Sequence, residues 1–320
     1  MSTTVYFATN RVVNGPAEKW QSYQPEIVSP SNPAAVTYAT AFVDQTNLDA
    51  DKTGAILSIQ DARQGGFSPE IVNDLSDPGR NLLIFLHGFA NSFDNALTRA
   101  AFNREWLARS GVAAADTTVI AFSWPSLGKV LSLPIPPADY WQDQTMSGQS
   151  ALHIMSFFAN LEPIVTQARA NGQRVFLLAH SMGNWALQAA VESWFSHGNG
   201  DAALFDEAFL CAADERYDGF DFLPTGRLSA LDRLAKRVSI YFSASDVVLQ
   251  ASVFANLGAK RLGQDGPHSR FDKKRFPAAK YRMVDCGGFR DFDFGFASSH
   301  QYYRRSPLAR KEIAKAMTGS

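Results

Sequence analysis

Two cysteines in 320 residues cannot build a disulfide framework, and they make no zinc-binding pattern. Cys211 and Cys286 each close an apolar run that reads as a strand, so two buried thiols are expected rather than a bridge. No apolar run approaches the roughly 20 residues of a membrane span. The opening MSTTVYFATNR has neither the basic stretch and apolar run nor the small-residue cleavage site of a secretory signal. A soluble, cytoplasmic protein without a transmembrane segment is the expectation. An excess of one charge is also missing: 30 Lys plus Arg stand against 31 Asp plus Glu, a formal charge of -1. No overall field therefore draws in nucleic acid or an anionic membrane. The short basic stretches Lys273-Lys274-Arg275 and Arg304-Arg305 read as solvated loop and helix ends. Neither a GxGxxG stretch nor a phosphate-loop lysine motif occurs, which disfavours nucleotide chemistry.

What the chain does have is apolar mass, 46% of its residues, enough to bury one large core over 1–320 as a single domain. Uninterrupted β-rich runs at 82–86, 118–123, 175–179, 207–211, 238–243 and 281–285 alternate with helically spaced segments at 93–109, 147–170, 183–196, 228–236 and 306–317. That alternation predicts an α/β architecture with a mostly parallel central sheet and helices on both faces. Before residue 80, candidate strands at 4–8, 36–43 and 55–60 lack long intervening helices and suggest an antiparallel N-terminal extension of the sheet. Two excursions break the rhythm: 124–146, rich in Pro, Trp and Leu, and 258–279, rich in Gly and charge. The first follows a strand's C-terminal end, where open α/β sheets place ligands, and reads as a lid or pocket wall. Its Trp124, Leu127, Leu131, Leu133, Ile135, Tyr140 and Trp141 could line an apolar pocket or simply pack the loop onto the sheet.

The sharpest local signal is VFLLAHSMGNWAL at 175–187, an apolar strand, a tight turn of small residues, then a helix. A serine on such a strained strand-to-helix turn is the nucleophile elbow. Here it reads Ala179-His180-Ser181-Met182-Gly183, with Ala where the first glycine usually stands. The oxyanion of an attacked carbonyl needs preorganised donors, and the fold supplies them from the residue after the nucleophile and from the loop after an earlier strand. Met182 N–H and Phe89 N–H, the latter in His87-Gly88-Phe89, occupy those places, Gly88 letting the backbone turn and His87 serving as an orienting residue. This fold orders its triad Ser, acid, His. Only His197, His268 and His300 follow Ser181: His197 ends the nucleophile's helix, His268 precedes the last strand, and His300 follows it, where the base belongs. Asp246 in YFSASDVVL and Asp214 in FLCAADERY both stand after strands as possible acids or helix caps. Val247-Val248-Leu249 could seal Asp246 from water, whereas Glu215 and Arg216 suggest that Asp214 sits in a wetter loop, paired with Arg216 or capping a turn. Asp246 is favoured.

Taken in order, VYFATNR at 5–11, FLHGF, FSWPS at 122–126, Tyr140 with Asp143, AHSMGNWAL, the AAD of 212–214, SASD at 243–246 and the closing HQYYRRSP resemble the bacterial α/β-hydrolases grouped as a domain of unknown function, DUF900. The resemblance implies the α/β-hydrolase fold and a Ser-Asp-His triad at Ser181, Asp246 and His300, and it implies no substrate. In related esterases and lipases a single glycine before a bulky oxyanion residue, as in Gly88-Phe89, accompanies ordinary acyl esters rather than bulky tertiary-alcohol esters. The expected activity is cleavage of a small-molecule carboxylic ester through an acyl-serine, with no metal or organic cofactor. Thioester or amide hydrolysis would use the same parts, and a noncatalytic scaffold binding a small molecule or a protein would differ by a broken triad or a blocked elbow.

Overall fold

An apolar run with no polar alternation, such as Leu82–Leu86, is stable as a strand only when both its faces are covered. The computed structural model describes residues 1–46, 48–128, 137–200, 203–221 and 227–319. Its strands in chain order are β1 (Ser2–Thr9), β2 (Arg11–Val13), β3 (Tyr23–Ile27), β4 (Thr37–Asp44), β5 (Ile56–Gln64), β6 (Asn81–Leu86), β7 (Thr117–Ser123), β8 (Val175–His180), β9 (Phe205–Cys211), β10 (Ala235–Phe242) and β11 (Tyr281–Asp285). Nine of them form one sheet in the order β11-β10-β9-β8-β6-β7-β1-β4-β5, while β2 and β3 make a separate ribbon. Within the nine-stranded sheet every pairing from β11 through to β1 is parallel, and only β1 with β4 and β4 with β5 are antiparallel. The antiparallel extension is therefore the β4–β5 hairpin; β1 itself runs parallel to β7, with Val5 opposite Val119.

The helices are α1 (Pro69–Leu75), α2 (Phe93–Ala108), α3 (Pro137–Gln149), α4 (Ala151–Ala170), α5 (Gly183–Ser196), α6 (Leu231–Leu234), α7 (Val247–Ala255), α8 (Leu262–Asp265), α9 (Phe296–Ser299) and α10 (Pro307–Ala316). Because successive strand residues face opposite ways, β6 feeds two cores. Leu82, Ile84 and Leu86 pack with Ile154, Phe157 and Leu161 of α4 and Ala186 and Ala190 of α5. Leu83 and Phe85 pack on the other face with Leu97 of α2 and Ile313 of α10. Ser306 caps α10 by accepting the Ala309 N–H at 3.1 Å, with Pro307 in the first turn.

Three stretches differ from the sequence expectation. The helix expected at 147–170 begins earlier and divides: α3 starts at Pro137, inside the 124–146 excursion, and Ser150, whose N–H is shared between the carbonyls of Met146 and Ser147, separates it from α4. Residues 129–136 of that excursion lie outside the described residues. The helix expected at 228–236 shrinks to a turn of 3-10 helix and the four residues of α6, because β10 already starts at Ala235. The excursion at 258–279 contains α8, where Gly263 packs so tightly against the backbone of Ala212 and Ala213 that any side chain would collide.

Candidate active site

Chain order crosses over between β6 and β8: β7 lies on one side of β6 and β8 on the other, which opens a crevice at their C-terminal ends. Two loops meet there. Ser181 leaves β8 with φ of 54°, a left-handed conformation that an L residue with a side chain adopts at a cost of about 1–3 kcal/mol. The turn is held open by its neighbours. Ser181 N–H donates to the carbonyl of Cys211 at 3.1 Å, and Ser181 C=O accepts from Asp214 N–H at 3.1 Å and Asn184 N–H at 3.0 Å. A side chain at Gly183 would stand 2.6 Å from the carbonyl oxygens of both Leu86 and His87, and one at Gly88 would stand 2.7 Å from Ser181 Cβ. These two glycines let the loop after β6 lie directly against the serine. Ala179 is fully buried in β8, where its methyl group fits.

The loop after β6 carries Phe89, followed by Ala90 at φ 57°. Its shape is fixed from outside by Asp143, which accepts from Ala90 N–H at 3.2 Å, Leu127 N–H at 3.0 Å and Ser126 Oγ at 2.5 Å. Asn91 Nδ2 ties back to the carbonyls of Gly88 and Phe89 at 2.9 and 2.8 Å. Among the described residues the Phe89 and Met182 N–H groups make no hydrogen bond, and Met182 stands at the start of α5.

His300 and Asp246 meet through a buried hydrogen bond. Asp246 is fully buried: its Oδ2 accepts from His300 Nδ1 at 2.7 Å and its Oδ1 from Leu249 N–H at 3.0 Å, so it caps α7 as well. A carboxylate only accepts, so the His300 proton lies on Nδ1 and Nε2 is the nitrogen left with a lone pair. The position is buttressed by Ser299 Oγ, which accepts from Val247 N–H at 3.1 Å, and by Gln264 Nε2, which donates to the Asp246 carbonyl at 3.1 Å. Ser181 and His300 line a single cavity of about 320 Å3 with Gly88, Phe89, Tyr140 and Asp214.

A family model described as an alpha/beta hydrolase of unknown function (DUF900) matches residues 64–316. The chain belongs to the DUF900 family. A search of curated proteins returns no match. Membership supports a hydrolase in general. The matched range begins after VYFATNR, so that part of the resemblance lies outside it. No helix among the described residues is long and apolar enough to cross a membrane.

In this DUF900 chain the other candidate residues are distributed as follows. His87 is buried and stacked on Trp124, ring centroids 4.7 Å apart, with Nδ1 and Nε2 facing the carbonyls of Gly88 and Trp124. Burial, then the charge of Arg11, push it down to about 3, so it stays neutral and acts as a spacer. His180 lies between the rings of His300 and Tyr303, at 4.8 and 4.6 Å, held well below its ordinary value by burial and then by the charges of His300 and Arg304. His268 is on the surface beside Asp221, and His197 ends α5. Of the proposed pocket aromatics, Tyr140 lines the cavity. Trp124 is fully buried behind His87, and Trp141 is half exposed with Nε1 on the Ala255 carbonyl at 3.3 Å.

Asp214 differs from its expected wet loop. It is 3% exposed and accepts from Tyr140 Oη at 3.0 Å and from Ser252 Oγ, with Arg261 Nε at 3.5 Å. Arg216 pairs with Asp218 instead. The polar neighbours that follow Asp214 in sequence turn elsewhere, which local composition could not reveal. Arg304 likewise is no solvated helix end but buried, in a 3-10 turn anchored by Tyr302 and Tyr303, and it lines the cavity.

Arg11 is the hidden support of the site. Fully buried, it sends Nε to Ser123 Oγ, Nη1 to the carbonyls of Gln24 and Ser126, and Nη2 to those of Asn91 and Trp124. One side chain from the N-terminal segment thus joins the loops after β6 and β7. The Arg of VYFATNR was the visible signal, but its partners are carbonyls, which carry no side-chain signature.

Proposed function

We propose that this DUF900 protein is a serine hydrolase of small carboxylic esters. The observation that carries the reading is Ser181 in its left-handed turn, facing the same cavity as a His300 whose Nδ1 is held by buried Asp246. In the proposed cycle, His300 Nε2 takes the Ser181 hydroxyl proton as Oγ bonds to the ester carbon. The Phe89 and Met182 N–H groups, both without other acceptors among the described residues, receive the developing oxyanion. Collapse breaks the carbon–oxygen bond of the leaving alcohol, which takes the proton from His300. Water, deprotonated by the same nitrogen, then adds to the acyl group and releases the acid and free Ser181. Asp246 keeps the tautomer and stabilises the imidazolium. The cavity of about 320 Å3 is at the small end of ligand pockets and suits short acyl esters.

The test is labelling with a fluorophosphonate probe together with turnover of 4-nitrophenyl esters. Stoichiometric labelling that Ser181→Ala abolishes is the expected result. If activated esters, thioesters and amides all show no turnover above the Ser181→Ala protein, the noncatalytic binding scaffold becomes the better reading.

A further inference from the structure

The cavity lining holds two arginines that the proposed reaction does not use, beside the carboxylates of Asp51 and Asp214. Arg99 of α2 and Arg304 both line the cavity, alongside Ser181 and His300. Arg99 is fixed by backbone: Nη1 donates to the carbonyls of Asp49 and Ala50 at 3.0 and 2.6 Å, and Nη2 to that of Asp51 at 2.8 Å. Arg304 is 5% exposed; its guanidinium lies over the Tyr303 ring, 5.9 Å from the centroid, and its buried Nε has no acceptor among the described residues. Among the described residues neither guanidinium forms an ion pair with a carboxylate. The nearby acids are engaged elsewhere: Asp51 with Arg305, and Asp214 with Tyr140, Ser252 and Arg261. Asp49 acts on Arg99 by its charge, without forming an ion pair.

Two like charges in a shielded wall are costly unless something negative joins them. Burial and then the charge of Arg304 push Arg99 down to about 9, against the opposing pull of Tyr303 and Asp49. A guanidinium offers a planar fork that fits the paired oxygens of a carboxylate or phosphate. Carbonyl oxygens neutralise no charge, so the hydrogen bonds that orient Arg99 leave it without a paired anion among the described residues, Asp49 acting on it only from beyond ion-pair range.

We propose that Arg99 and Arg304 form an anion subsite, and that the substrate carries a carboxylate or phosphate group beside the bond to be broken. Its use in turnover rests on the hydrolase reading; the subsite itself does not. Substrates would then be small half-esters, with the distal anion on the two arginines and the ester carbonyl at Ser181. The arginines position and select; they do not touch the reacting atoms.

The experiment separates the two readings by measuring binding without chemistry. Adipate, monobutyl phosphate and the neutral adipamide are titrated calorimetrically into Ser181→Ala, and into the same protein carrying Arg99→Gln or Arg304→Gln. At least one anion should bind where adipamide does not, and each arginine substitution should weaken it by about 10- to 100-fold, the range of a charge-assisted hydrogen bond. Which anion binds distinguishes carboxylate from phosphate. Should Arg304→Gln fail to fold, the partly exposed Arg99 carries the test. No binding of either anion at millimolar concentration, or binding that both substitutions leave unchanged, overturns the subsite. Binding with no turnover of any ester by the wild type keeps the subsite and removes the hydrolase reading.

Discussion

Asp246→Asn should lower kcat by about 10⁴ and leave the fold nearly intact, while Asp214→Asn should do the opposite. An imidazolium and a carboxylate about 4 Å apart in an effective dielectric of about 20 attract by about 4 kcal/mol, which is about three decades of rate. An amide at 246 also donates to His300 Nδ1 and moves the ring proton to Nε2, the nitrogen that the proposed cycle uses as base. Loss of a triad carboxylate in this way costs about 10⁴ in kcat. Stability is spared because the side-chain oxygen of Asn can still accept from Leu249 N–H, and Asn caps helices about as well as Asp. Asp214 has the converse surroundings. Among the described residues, none of the three guanidinium nitrogens of fully buried Arg261 has a hydrogen-bond partner, and the one carboxylate within ion-pair range is Asp214. Removing that charge strands a buried cation, a loss of about 3–5 kcal/mol, yet the folded fraction should keep kcat within about tenfold. Urea denaturation and steady-state hydrolysis of a 4-nitrophenyl ester, corrected for the folded fraction, measure both. A larger kcat loss for Asp214→Asn than for Asp246→Asn would refute the assignment of the acid.

Ser181→Gly should remove labelling and raise stability by about 1 kcal/mol in urea melts, since glycine relieves the left-handed turn at 54°; a destabilised variant would mean that the turn stores no strain. Gly183→Ala should destabilise by about 1–3 kcal/mol and abolish turnover, because its methyl group would press on two carbonyl oxygens at 2.6 Å, and a wild-type melting temperature would contradict this. Stability should fall as pH drops from 6.5 toward 3. The unfolded His87 takes up a proton near 6.5 while the folded one resists until about 3, so protons bind the unfolded state at up to about 1.4 kcal/mol per pH unit. His87→Gln should flatten that slope in denaturation series run across the window, leaving the part due to His180.

The parallel sheet was legible because its strands are apolar on both faces, and the strand-turn-helix around Ser181 because an apolar run, small turn residues and a helical pattern follow one another without interruption. The position of β1 was not: a strand in sequence isolation does not reveal whether its neighbour runs with or against it, and Val5 finds Val119 only through the folded chain. Helix α7 went unread because Val247-Val248-Leu249 looks like a seal for Asp246, although the same aspartate also caps a helix there. Burial of Asp214 and Arg304 escaped notice for a shared reason. Charged residues are read as solvated unless a partner is known, and the partners here, Tyr140, Ser252 and Arg261 for one and the cavity wall for the other, come from distant segments.

The reach of Arg11 bears on where this protein can be cut. The family match starts at residue 64, the last residue of β5, so a fragment trimmed to it would discard β1, β4 and the ribbon, with Arg11 among them. The outer rim of β7, now covered by β1 from Val119 to Ser123, would become a bare row of amides and carbonyls open to pairing with another chain. The carbonyls of Asn91, Trp124 and Ser126 would lose their common donor, and the loop that bears Phe89 would be released with them. The stretch by which kinship is recognised is shorter than the stretch that one sheet joins, and expression of the matched segment alone should yield aggregate rather than a minimal hydrolase.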